Sequence, residues 1–199
     1  MTAMTETTAH ATNTAQTSPV GDWPFAHLLV RFDAFDERVD RAIEPLRTPA
    51  LDPAMYALSS AADHSILWHA IGAVQSVRAG SLTPMTRLSK ILGIESAITN
   101  GPVKALFRRE RPDRDDAAGE PLPYGLRVPI TSSFPSGHAT AAFCAAAVLS
   151  ERGGARFWYP LAAVVASTRV YVRMHHASDV IVGAAFGVVL GRVLRRVVR

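Results

Sequence analysis

Five apolar segments at helical spacing, with no convincing strand alternation between them, restrict this 199-residue chain to an all-α fold. They run from about Ala62 to Val77, Leu88 to Phe107, Gly137 to Ser150, Phe157 to Met174 and Val180 to Val198. Gly153-Gly154 stops the third, and the short His175–Asp179 stretch divides the last two. Ahead of them, Leu28, Leu29, Phe32, Phe35, Val39, Ile43 and Leu46 recur at helical spacing. Asp33, Asp36, Glu37, Arg38, Asp40 and Arg41 occupy much of the opposite face. The pattern predicts an amphipathic helix over Phe25–Leu46, lying on a surface rather than crossing a membrane. Pro45, Pro49 and Pro53 are expected to break it. Met1 to about Val20 is Thr/Ala-rich and aperiodic, a disordered tail by composition. The chain thus divides into a tail (1–20), an amphipathic helix with a Pro-rich connection (21–60) and a helical domain (61–199).

A full membrane span needs about 20 apolar residues. Phe157–Thr168 and Val180–Gly191 are uncharged for twelve residues each, and arginine-bearing turns lengthen them because arginine snorkels to the interface. Gly183, Gly187 and Gly191 form the small-residue face on which membrane helices pack closely. A membrane bundle is the expectation. With 48% hydrophobic and 19% charged residues, the chain is too apolar to be disordered. A single cysteine, Cys144, excludes an intramolecular disulfide framework and a cysteine-based zinc site, and reads as a small buried hydrophobe. No charged n-region precedes an apolar run near Met1, so no cleavable signal peptide is expected. A pI near 9.7 invites a nucleic-acid reading. However, Arg192, Arg195, Arg196 and Arg199 end an apolar helix, where they complement its dipole and membrane phosphates. No zinc finger or basic stripe accompanies them, and no nucleic-acid partner is expected.

Three clusters put cations and histidines at apolar helix ends: Lys104 through Arg111-Pro112, Pro135-Ser136-Gly137-His138, and Thr168-Arg169 followed by His175 and Asp179. Together they describe an anion site with acid–base groups. Lys104, Arg111 and Arg169 supply cations, the arginines with forked donors that match phosphate oxygens. Ser136 and Gly137 place a hydroxyl and free N–H groups at a helix N-terminus, where an anion sits well. His138 and His175 can exchange protons near neutral pH, and a neutral imidazole is also a nucleophile. Asp179, four residues after His175, can bind one ring nitrogen and leave the other free. Arg108, Arg109 and Arg114 read as surface charge, and His10 and His27 as structural. Asp63 reads first as a helix cap beside His64, with a place at the site rim second. His176 takes a rim role at most. No metal-ligand cluster is evident, so no metal or other cofactor is expected.

Lys104-x6-Arg111-Pro112, Pro135-Ser136-Gly137-His138 and Thr168-Arg169-x5-His175-x3-Asp179 resemble, in order and spacing, the signature of the type 2 phosphatidic acid phosphatase superfamily. The resemblance covers about Ala62 to Arg196. Thr168 stands where the family commonly has Ser, which keeps the hydroxyl. It implies a metal-independent helical-bundle phosphatase in which His175 attacks phosphorus, Asp179 orients it and His138 serves as acid and then base. Lys104, Arg111, Arg169, Ser136 and the Gly137 amide would hold the phosphate oxygens. Spacing alone does not divide nucleophile and acid between the two histidines. A membrane lipid phosphate or polyprenyl diphosphate is the expected substrate class, with the bilayer as partner and the oligomeric state open. A soluble acid phosphatase of the same superfamily and a non-catalytic bundle binding anionic headgroups are the alternatives. Arg78, Arg87, Lys90, Arg152, Arg156 and the C-terminal arginines gather at the end away from the motifs. By the positive-inside rule the site of a multi-pass cell-membrane protein would then open outward.

Overall fold

The computed structural model describes residues 31–113, 123–126 and 129–198. Within them the chain forms seven α-helices and no strand: α1 (Asp33–Ile43), α2 (Asp52–Ala61), α3 (Ile66–Ala79), α4 (Thr83–Ile98), α5 (Gly137–Leu149), α6 (Ala155–Tyr171) and α7 (Ala177–Val197). The expected tail, the first turns of the Phe25–Leu46 helix, His10, His27, Arg114 and Arg199 lie outside the described residues.

Three local expectations change. Pro53 sits in the first turn of α2, where no intrahelical donor is required, so it opens a helix instead of only breaking one. The apolar segment expected to run to Phe107 leaves the α-helix at Ile98. Gly101, at φ −89° and ψ −106°, and Pro102, which has no N–H to donate, interrupt it within the Thr99–Val103 turn. That break puts Lys104 on a short turn beyond the helix end. In α1 the buried residue is Asp36, assigned from the sequence to the polar face, whereas Phe35 is exposed. The Gly153-Gly154 stop is as expected, both glycines taking left-handed φ values of 96° and 76°.

The core gathers Trp68, Leu88, Ile91, Leu92, Ala142, Cys144, Ala145, Ala146, Ala162 and Val165 from α3 to α6. Helix α5 is its centre, and its alanines let neighbouring backbones approach. A Cβ added at Gly183 would lie 2.6 Å from the Ser136 carbonyl oxygen, at Gly187 2.2 Å from that of Thr140, and at Gly191 2.7 Å from that of Cys144. Because the two series advance together, α5 and α7 run parallel in near backbone contact, with both N-termini at one end. Helix α6, which lies between them in the chain, runs back antiparallel and delivers its C-terminus to that same end. At the opposite end Arg87 donates from Nε to the Val198 carbonyl at 2.9 Å and pairs with Glu151.

Among the described residues one helix, α7, is long and apolar enough to cross a membrane. Val74, Val77, Phe157, Val164, Ile181, Val189, Val193 and Val197 are each at least half exposed, giving α3, α6 and α7 apolar outer faces.

Candidate active site

All three sequence clusters converge at the end shared by the N-termini of α5 and α7. Ser136, in extended conformation, caps α5: its Oγ accepts the Ala139 N–H at 3.5 Å, which leaves the hydroxyl proton free to donate. The Ser136 N–H donates to the Asp179 carbonyl oxygen at 3.0 Å, so the second motif is tied directly to the third. Gly137 lies where an added Cβ would stand 3.9 Å from Lys104 Nζ and 3.2 Å from Asn100 Oδ1, so its bare backbone faces the lysine. Lys104 is buried, with Nζ 3.5 Å from Thr131 Oγ1. Burial and the neighbouring cations Arg111 and Arg169 push its ammonium down to about 8.

The turn between α6 and α7 places His175. The His175 and Met174 N–H groups both donate to the Arg169 carbonyl, at 3.1 and 2.9 Å, and Arg173 adopts φ 51°. His175 Nδ1 lies 3.6 Å from Asp179 Oδ2, and Nε2 faces the Arg111 guanidinium at 3.4 Å. Arg111 is itself held by donation to the Met174 carbonyl at 2.6 Å and the Thr131 carbonyl at 3.2 Å. Burial lowers His175 to about 3 despite the opposing pull of Asp179, so the imidazole is neutral. Asp179, fully buried, accepts the His176 N–H on Oδ2 at 2.9 Å, a reciprocal cap at the start of α7. Arg169, also buried, donates to Ser59 Oγ at 2.6 Å.

Two residues depart from their sequence assignments. Asp63 does not cap α3, which starts after Ser65 without a side-chain cap. Its Oδ1 lies 2.7 Å from His138 Nε2 and 3.9 Å from Arg169, making it a rim carboxylate that links the second and third motifs. Burial pushes the Asp63 carboxyl up, but His138 and Arg169 outweigh it and hold the group ionised. Arg109, read as surface charge, has a buried side chain that donates to Asp179 Oδ1 at 2.6 Å, Ser178 Oγ at 2.7 Å and Asp36 Oδ2 at 2.7 Å. The one sequence signal for Arg109 was its place inside the first motif. Asp36 carried none, because its partners are more than 70 residues away. Arg108 is exposed, as expected, and Cys144 is buried and free.

A neutral histidine, an aspartate beside it and the cations Lys104, Arg111 and Arg169, gathered at one end of a parallel helix pair, suit an anionic ligand such as a phosphate ester. The PAP2 superfamily model matches residues 86–199, more than half of the chain, and the chain belongs to that superfamily. It is 34% identical over 92 residues to a decaprenylphosphoryl-5-phosphoribose phosphatase of Mycobacterium tuberculosis, a match over 46% of this chain and 49% of the relative. The chain thus spans about half the length of that relative. To the decaprenylphosphoryl-5-phosphoribose phosphatase of Mycolicibacterium smegmatis it is 32% identical over 132 residues, 64% of this chain and 68% of the relative. Its fold matches the crystal structure of a transmembrane PAP2-type phosphatidylglycerolphosphate phosphatase from Bacillus subtilis. That match has TM-score 0.64 and 23% identity over 87% of this chain and 91% of the other.

Proposed function

We propose that this chain is a membrane phosphatase that removes phosphate from a lipid or polyprenyl carrier through a phosphohistidine on His175, with residues 61–199 forming the phosphatase domain. The observation that carries the reading is a buried neutral His175 with Nε2 toward Arg111 and Nδ1 toward Asp179. In the reaction, Nε2 attacks phosphorus as the ester P–O bond breaks, and His138 protonates the departing oxygen. His138 then takes a proton from water, which attacks the phosphohistidine and releases phosphate and free His175. Asp179 moves the short distance to hydrogen-bond Nδ1–H as the ring gains positive charge. Lys104, Arg111, Arg169, the Ser136 hydroxyl and the Gly137 N–H stabilise the three equatorial oxygens, where charge spreads. A mostly cationic donor set suits an anion and repels a divalent metal, so the mechanism needs none.

The apolar outer faces of α3, α6 and α7 support a bilayer setting for the bundle, with α7 the described helix that is long and apolar enough to cross by itself. The relatives' names point to decaprenylphosphoryl-5-phosphoribose and phosphatidylglycerolphosphate as those proteins' substrates, and this chain's substrate is of the same kind, a phosphate-bearing lipid. Arginines at the far end, Arg78, Arg152 and Arg156 among them, favour an outward-facing site. Reporter fusions after Arg199 and within 113–127 test that orientation. The activity test is phosphate release from short-chain phosphatidic acid and a polyprenyl phosphate by detergent-purified protein in EDTA. Wild type should turn over, and His175→Ala should lose activity entirely. Full activity in His175→Ala, or activity that vanishes in EDTA and returns only with magnesium, would sink the mechanism.

A further inference from the structure

Helix α1 lies before the residues matched by the superfamily model, yet its one buried side chain bonds the residues that flank Asp179. Asp36 Oδ1 accepts the Ser178 N–H at 2.7 Å, and Oδ2 accepts both the Ser178 hydroxyl at 2.6 Å and the Arg109 guanidinium at 2.7 Å. Through its other nitrogen Arg109 donates to Asp179 Oδ1 at 2.6 Å. The buried groups therefore form one row: Asp36 carboxylate, Arg109 guanidinium, Asp179 carboxylate, His175 imidazole.

We propose that Asp36 is a positioning residue that acts through Arg109 and Ser178 on Asp179, so that α1 belongs to the catalytic apparatus. The inference rests on the phosphatase reading above. Two physical effects support it. First, Arg109 alone would pull Asp179 toward itself and spend the carboxylate's charge away from His175. A second carboxylate on the opposite side of the guanidinium divides that pull, and Oδ2 keeps its charge for the ring that becomes positive on attack. Second, the Ser178 N–H is one of the free donors in the first turn of α7. Asp36 occupies it and fixes the turn on which Asp179 rides. A carboxylate suits both tasks, because its two oxygens take three charge-assisted or neutral donors at once.

The test uses the full chain in detergent, with p-nitrophenyl phosphate as the reporter ester so that weak variants remain measurable. Asp36→Asn should lower kcat about tenfold, the size of one hydrogen bond to a charged group, with KM within about twofold. In an Asp179→Asn background the same change should cost almost nothing, because the group it acts through is gone. A purely structural role predicts the opposite, an equal loss in both backgrounds, and that result overturns the proposal. So does Asp36→Asn with wild-type kcat. Arg109→Lys keeps the charge but loses the fork, and it reports the same coupling should Asp36→Asn fail to fold. Arg41→Ala, exposed on the outer side of α1, should match wild type. Absence of phosphate release from wild type would remove the phosphatase reading and this inference with it. An active wild type beside an unaffected Asp36→Asn removes this inference alone.

Discussion

Replacing Gly187 with alanine sets two effects of opposite sign against each other. In an exposed helix the change stabilises by about 1 kcal/mol, because glycine is the poorer helix former. At Gly187 the new Cβ would stand 2.2 Å from the Thr140 carbonyl oxygen, 2.9 Å from its carbon and 3.0 Å from its Cα. All three atoms are backbone, so no side-chain rotation relieves them, and α5 and α7 must separate by about 1 Å to restore ordinary contact. Overpacking of this kind costs about 1–3 kcal/mol, and a backbone clash belongs at the upper end. The net expectation is a loss of about 2 kcal/mol, or a melting temperature lower by about 4–8 °C for a chain of this size. The catalytic cost should be larger than the stability cost. Ser136 and His138 ride on α5 and Asp179 on α7, and the Ser136–Asp179 backbone hydrogen bond of 3.0 Å spans the joint. A misplacement near 1 Å at such a site costs about a hundredfold in rate. Gly93 on α4, with nothing within 4 Å of an added Cβ, is the control and should gain stability at unchanged kcat. Thermal unfolding in detergent and turnover of a short-chain lipid phosphate measure both quantities. A Gly187→Ala protein that melts at or above wild type with undiminished kcat would refute the parallel contact of α5 with α7.

Lys104, lowered to about 8 by burial and neighbouring cations, is charged below that pH and loses its charge as pH rises through it. In the free protein kcat/KM should therefore fall above about pH 8, while bound phosphate raises the ammonium again and carries the kcat limb to higher pH. Lys104→Arg keeps its charge and should move the alkaline limb of kcat/KM upward; an unmoved limb would exclude Lys104 as its source. Asp63→Asn removes the anion that favours a protonated His138. It should slow an alkyl phosphate about tenfold but p-nitrophenyl phosphate much less, since a good leaving group needs little acid assistance. Equal losses on both esters would show that Asp63 does not act through the acid.

The all-α class, most helix positions and the three motifs were legible in the chain because each is written over a few adjacent residues. Helical periodicity shows over one turn or two. Ser136 before Gly137 marks a helix start, and Gly153-Gly154 marks a stop. The spacing of His175 to Asp179 is one helical turn, which places the carboxylate on the ring's side before any tertiary contact is known. Misreadings arose where a local rule met a competing one: Pro53 as a breaker when it stood at a first turn, and the run to Phe107 as one helix despite Gly101-Pro102. Tertiary structure alone decided which charges leave solvent for a partner. Asp36, Asp63 and Arg109 have the sequence surroundings of solvated residues, and each finds its partner in another helix or loop, Asp36 at a distance of 142 residues in the case of Ser178. Nothing in a local pattern encodes a pairing between distant segments, because the energy that pulls such a charge inward exists only once its counter-charge has arrived. The glycine stripe is an intermediate case. Its four-residue spacing declared a face made for close approach, but only the packed bundle shows that the face meets α5, in parallel, with both helix starts at the end where the three motifs meet.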